Sequence, residues 1–308
     1  MRRRSFFVLV IGFIVLVLPG CSERQAANAN RRLQLVATTG MLADALQNIA
    51  GDKADVIAIM GPGVDPHLYK ATQGDLEKLR NADMVFYNGL HLEGKMGEVL
   101  EKLGRTKPVI AVGERLPETD LRKAAGFAGA YDPHIWFDVQ LWRSAVGQMR
   151  LALQQQDTLH RDWYAQNEKR YAQELAALND TVLKRIQSIP QPQRVLVTAH
   201  DAFGYFGRRY GIEVRGLQGI STTAEFGLRD VEDLVRFISE RKIKAIFVES
   251  SVSPKSIEAV VEGCKARGHA VRIGGTLYSD AMGKPGTAAG TYTGMVTANV
   301  NTIVEALK

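Results

Sequence analysis

The chain has 308 residues, with 39 Lys and Arg against 33 Asp and Glu, for a formal net charge of +6. So mild an excess over this length argues against a nucleic-acid binder. Only six histidines and two cysteines are present, which makes the placement of each informative.

Residues 1–20 read as a signal peptide. Arg2, Arg3 and Arg4 form a basic start, and Phe6 to Leu18 supply an apolar stretch too short for a comfortable membrane span. The stretch ends Leu18-Pro19-Gly20-Cys21, which resembles the bacterial lipobox, so Cys21 is the expected lipidation site. Loss of three leader arginines brings the mature charge to about +3. Acylation of Cys21 leaves Cys264 alone, so no intramolecular disulfide is expected even in an oxidising compartment. Cys264 falls in a helical run and reads as a small buried hydrophobe. Residues 21–31 are polar and read as the lipidated cysteine and a short tether.

Strand-like and helix-like segments then alternate. Leu33 to Thr38, Asp55 to Met60, Met84 to Tyr87 and Pro108 to Val112 read as strands. Helices are predicted at Gly40 to Ile49, Thr72 to Arg80 and Glu93 to Gly104. From Asp157 to Ile189 there is no glycine or proline, and apolar residues recur near helical spacing. This predicts one helix about 45 Å long, a strut between lobes, which Pro190 and Pro192 stop. Strands at Arg194 to Thr198, Ile212 to Leu217, Ala245 to Val248 and Ala270 to Ile273 follow. They alternate with helices at Phe203 to Tyr210, Leu228 to Arg241, Pro254 to Arg267 and Thr293 to Leu307. The pattern implies an α/β fold of two lobes with mainly parallel sheets, each with a modest core, joined by one long rigid α-helix. The expected boundaries are 32–155 for the first lobe, 156–190 for the linking helix and 191–308 for the second lobe.

The most specific feature is a repeated tripeptide, Asp65-Pro66-His67 and Asp132-Pro133-His134. A third histidine stands in Thr198-Ala199-His200-Asp201, and a loop aspartate in Tyr278-Ser279-Asp280. The four groups lie 67, 66 and 80 residues apart, far beyond any local metal motif, so only the fold can bring them together. Each lies near the carboxyl end of a strand, the edge where open α/β sheets bind ligands, and two come from each lobe. Three imidazoles and a carboxylate make a plausible complete shell for one divalent transition metal in the interlobe cleft. Proline holds the preceding aspartate extended and so stiffens the approach to each histidine. Asp65, Asp132, Asp201 and Glu249 are candidates to orient the imidazoles. His91, His160 and His269 read as non-ligands.

Taken together the motifs Gly63-Val64-Asp65-Pro66-His67, Val85-Phe86-Tyr87-Asn88-Gly89-Leu90, Asp132-Pro133-His134-Ile135-Trp136, Thr198-Ala199-His200-Asp201-Ala202-Phe203-Gly204-Tyr205-Phe206 and Ser279-Asp280 make the chain resemble the TroA-like (cluster A-I) metal-binding lipoproteins of bacterial ABC transporters. The resemblance implies one metal held between two α/β lobes by His67, His134, His200 and Asp280. It also implies delivery of that metal as cargo to an ABC permease. Many manganese-binding relatives carry glutamate where His200 stands. Many dedicated zinc relatives have a histidine-rich loop, whereas residues 113–131 contain no histidine. On ligand chemistry an N₃O site ranks zinc slightly ahead of manganese, with ferrous iron third. The expected protein is a non-enzymatic monomer, lipid-anchored at a membrane on the periplasmic or extracellular face. The rival readings are an exported zinc-dependent hydrolase and a surface adhesin with a structural metal. The hydrolase would keep an open metal position and a nearby general base, and no His-Glu-x-x-His motif is present.

Overall fold

A computed structural model describes residues 31–124 and 129–308. The signal peptide, Cys21 and the tether up to residue 30 therefore lie outside the described residues. Among the described residues no helix is long and apolar enough to cross a membrane.

The first lobe is built on a four-stranded parallel sheet. Its strands are β1 (Leu33–Ala37), β2 (Ala54–Ala58), β3 (Met84–Tyr87) and β4 (Val109–Ala111), in the order β2-β1-β3-β4. Helices α1 (Gly40–Ala50), α2 (Gln73–Asn81) and α3 (Gly97–Gly104) connect them. Thr39 caps α1 by accepting from the Leu42 N–H. Thr72 and Asp75 form a capping box that starts α2. Side chains alternate across β1: Leu35 and Ala37 enter the main core, and Val36 points to the opposite face. Helix α3 begins at Gly97 and not at Glu93 as the sequence predicts. Gly89, Leu90 and His91 all adopt left-handed φ, and the Glu93 carboxylate folds back to accept from the Asn88 and Gly89 N–H groups. That turn displaces the helix start by one turn.

The second lobe has two parallel pairs, β5 (Val195–His200) with β6 (Glu213–Gln218) and β7 (Ala245–Glu249) with β8 (Arg272–Leu277). Strand β5 lies against β7. Helices α6 (Gly204–Tyr210), α7 (Leu228–Glu240), α8 (Lys255–Ala266) and α9 (Tyr292–Leu307) surround them, numbered after the two helices described next. Gly216 on β6 is forced by close approach, because a Cβ there would meet the backbone of His200 and Asp201. Cys264 is a free, buried thiol on α8.

Against the first lobe packs α4 (Val139–Gln156), and between the lobes runs the long α5 (Arg161–Gln187). The predicted strut exists, spanning 27 residues or about 40 Å. Its start is moved inward by the corner at Asp157, whose carboxylate takes the Tyr164 hydroxyl and His160 Nδ1. Helix α4, capped by Asp138, is an element the sequence reading did not assign; it packs along α5. At its start α5 donates from Trp163 Nε1 to the Ala50 carbonyl and from Asn167 Nδ2 to that of Ile49. Further along, Asn179 Oδ1 accepts from Arg209 Nε on α6. One helix thus fastens to both lobes.

The expected pair of separate cores is replaced by a shared one. A single apolar cluster runs from Leu35 and Phe86 through Tyr171 and Leu175 of α5 to Tyr205, Phe247 and Ile303. A satellite cluster then covers the other sheet face in each lobe, around Val85 and Leu100 in the first and around Val197 and Ile246 in the second. Sheets buried on both faces explain why the strands read as continuous apolar runs.

Candidate metal centre

His67 and His134 arise from the first-lobe loops, His200 ends β5, and Asp280 lies three residues beyond the end of β8. The fold brings all four together. Each is at most 2% exposed, and one donor atom from each lies within 4.8 Å of the others. His67 Nε2 is 3.4 Å from His134 Nε2. The Asp280 carboxylate sits 3.3 Å from His200 Nε2, 3.5 Å from His134 Nε2 and 3.7 Å from His67 Nε2. These are poor hydrogen-bond distances, and neither Asp280 oxygen has a hydrogen-bond partner among the described residues. A tetrahedron with arms of about 2.1 Å has edges of about 3.4 Å, which the His67–His134 separation matches and the distances to the two Asp280 oxygens approach. A buried anion facing three imidazole nitrogens without bonds to them is otherwise costly.

Two of the three imidazoles are held from behind. His134 Nδ1 lies 2.7 Å from Asp132 Oδ1, and the same oxygen accepts from the His134 backbone N–H. His200 Nδ1 lies 2.6 Å from Glu249 Oε2, a close charge contact outside hydrogen-bond geometry, and Glu249 Oε1 accepts from the His200 N–H. Such carboxylates fix the tautomer that presents Nε2 to a metal. His67 differs. Asp65 accepts from its backbone N–H and from the Thr222 hydroxyl of the other lobe, and His67 Nδ1 has no hydrogen-bond partner among the described residues. His67 also lines a cleft shared with Leu90, His91, Lys95, Tyr131 and Thr223.

Of the four expected orienting carboxylates, Asp132 and Glu249 reach imidazoles. Asp65 reaches only the His67 backbone and the Thr222 hydroxyl, and Asp201 pairs with Arg122 at 3.2 Å. The remaining histidines stand apart from the cluster: His160 pairs with Asp157, His269 Nε2 with the Ile243 carbonyl, and His91 is exposed. Sequence reasoning missed two further groups. Arg122 contacts both Asp132 and Asp201. Asn88, braced by Glu93, donates to the Pro133 carbonyl beside His134. Trp136 closes one wall, its ring 5.2 Å from that of His134 and its Nε1 donating to the Ser279 carbonyl.

The electrostatics are uneven. Burial pushes His67 down to about 3, with Asp280 opposing and the other imidazoles reinforcing the shift. Burial acts in the same direction on His200, yet the Glu249 and Asp280 carboxylates carry it well above its ordinary value. Asp280 is pushed up by burial, but the three imidazoles, His200 foremost, hold it well below the usual carboxylate range. The site therefore offers an ionised carboxylate and a neutral His67. His200 holds its proton more tightly than a free imidazole, and that proton competes with a metal for the ring.

Comparisons with known proteins agree with this chemistry. The model of the family described as zinc-uptake complex component A, periplasmic, matches residues 35–306. The manganese-binding lipoprotein MntA of Bacillus subtilis is 51% identical over 306 residues, covering 99% of this chain and 100% of the relative. The solved periplasmic zinc-binding protein TroA from Treponema pallidum is 49% identical, with a TM-score of 0.87, covering 90% of this chain and 99% of that one. Fe(III)-bound YtgA from Chlamydia trachomatis is 28% identical, with a TM-score of 0.81 over 89% and 97% of the two chains.

Proposed function

The chain belongs to the zinc-uptake complex component A family, and on that premise we propose that it is an exported solute-binding protein of a metal ABC transporter. It captures one divalent transition-metal ion outside the cytoplasm and delivers it to the transporter's permease. The ligands are His67, His134, His200 and Asp280. The observation that carries this reading is the gathering of four donor atoms within 4.8 Å of one another at a buried Asp280 whose oxygens have no hydrogen-bond partner among the described residues. Four protein donors close the coordination shell, which favours capture and release over hydrolysis at an open metal position.

On affinity an N₃O donor set ranks zinc ahead of manganese, with iron third. Relatives of this chain are named for manganese and for zinc, and one is solved with iron. Cargo is therefore set by supply and release as well as by affinity. The chain acts as a monomer tethered through a lipid on Cys21. Its lobes span 32–155 and 191–308, on either side of a linker at 156–190.

Thermal unfolding of the metal-stripped mature protein, titrated with Zn²⁺, Mn²⁺ and Fe²⁺, tests the proposal. Ion at a hundred times its dissociation constant adds about 2.7 kcal/mol, and the gain disappears in His67→Ala. Absence of stabilisation by all three ions in the native sequence would overturn it.

A further inference from the structure

Arg122 sits in the loop that leads to the Asp132-Pro133-His134 motif and joins the two lobes at the back of the site. Its Nη1 donates to Asp132 Oδ2 at 2.7 Å, and its Nη2 donates to Asp201 Oδ2 at 3.2 Å. Asp132 is fully buried and uses its other oxygen on His134, while Asp201 follows His200 in sequence. The guanidinium thus closes a path from His134 through Asp132 to the residue beside His200.

The fold gives this contact its own room. The Arg122 backbone N–H donates to the Tyr205 hydroxyl, which in turn donates to the Asp132 carbonyl, and the Asp132 N–H donates to the Arg122 carbonyl. Gly204, at the start of α6, is glycine for a steric reason: a Cβ there would overlap the Arg122 guanidinium. A planar fork that satisfies two carboxylates at once is a role lysine cannot fill.

We propose that Arg122 is a positioning residue for metal capture, cross-bracing Asp132 and Asp201 so that His134 and His200 meet one ion in a fixed geometry. The inference rests on the metal-capture reading above.

The test compares Arg122→Gln, Arg122→Lys and Gly204→Ala with the native protein. Calorimetric titration gives Zn²⁺ and Mn²⁺ affinity, visible absorption of the Co²⁺ form reports coordination geometry, and unfolding of the metal-free protein controls for stability. Arg122→Gln is expected to weaken Zn²⁺ binding about tenfold to a hundredfold and to alter the Co²⁺ spectrum. Arg122→Lys, able to satisfy one carboxylate, falls between. Gly204→Ala keeps the charge but displaces the guanidinium, so it must also weaken binding and perturb the spectrum. It carries the test together with the lysine variant if the glutamine variant does not fold. Native-like affinity and spectrum in these variants, whatever happens to stability, would overturn the inference. So would tighter binding in Arg122→Gln with native behaviour in Gly204→Ala, which would make Arg122 a charge screen alone. Failure of the native protein to bind any of the ions would instead defeat the metal-capture reading itself.

Discussion

His200 and His67 present the same atom to the same point, yet they are held in opposite ways. His200 ends a strand, is held by Glu249 through its backbone N–H and a 2.6 Å contact at Nδ1, and has its pKa raised by the carboxylates around it. His67 stands in a loop, has no carboxylate behind its ring Nδ1 among the described residues, stays neutral and borders the cleft. The difference teaches that preorganisation is unevenly distributed. The deep side of the site is built in advance, and the cleft side is completed by the ion.

Removing the fixed side should do most damage. His200→Ala leaves Glu249 and Asp280 as buried carboxylates without their imidazole. Zn²⁺ affinity is expected to fall by about a thousandfold or more (~4 kcal/mol), read by competition with a chelating dye. Glu249→Gln keeps the ring but loses the charge behind it, and about tenfold to a hundredfold is expected by the same assay.

Proton competition sharpens the contrast further. The folded-state value of His200 lies above its ordinary 6.5. Its protonated form therefore stabilises the metal-free protein below that ordinary value, and the contribution is lost as pH rises through the raised one. Metal must displace this proton, so affinity should drop about tenfold per pH unit as pH falls below the raised value. Burial holds His67 down to about 3, so it contributes no proton near neutrality. Calorimetry in buffers of different ionisation enthalpy should count close to one proton released per ion. A count near zero would break the comparison. The smallest effect is expected from Thr222→Val, which removes the 2.6 Å bond to Asp65. Because Asp65 supports only the His67 backbone, affinity should fall about threefold to tenfold, roughly 1 kcal/mol.

Much of this was legible in the chain, for reasons that particular residues make plain. The apolar runs at Leu33 to Ala37 and Ala245 to Glu249 are largely buried strands, and the Asp-Pro-His repeats mark the first-lobe loops that carry two of the four donors, although the second lies well beyond the end of β4 and not at a strand end as expected. Helix α4 went unassigned although Val139, Trp142, Val146, Met149 and Leu153 repeat at helical spacing. Gly147 and the Gln154-Gln155-Gln156 tail mask its pattern. Its Asp138 cap was the signal available. The orienting roles were harder to read, because Asp132, Asp201 and Glu249 have the same local appearance. Only tertiary approach sends Glu249 to an imidazole and Asp201 to Arg122, 79 residues away. The shared core was hidden for a similar reason, since periodicity gives the buried face of a helix but not which lobe that face meets.

Trp136 gives the site an optical consequence. Its indole is about 1% exposed, lies edge-on to the His134 ring and is bonded to the carbonyl next to Asp280. A dication arriving between those two ligands changes the electric field across an emitting ring that water scarcely reaches. Loading and unloading can therefore be followed as a change in tryptophan emission in the unlabelled protein, on the timescale of the exchange itself.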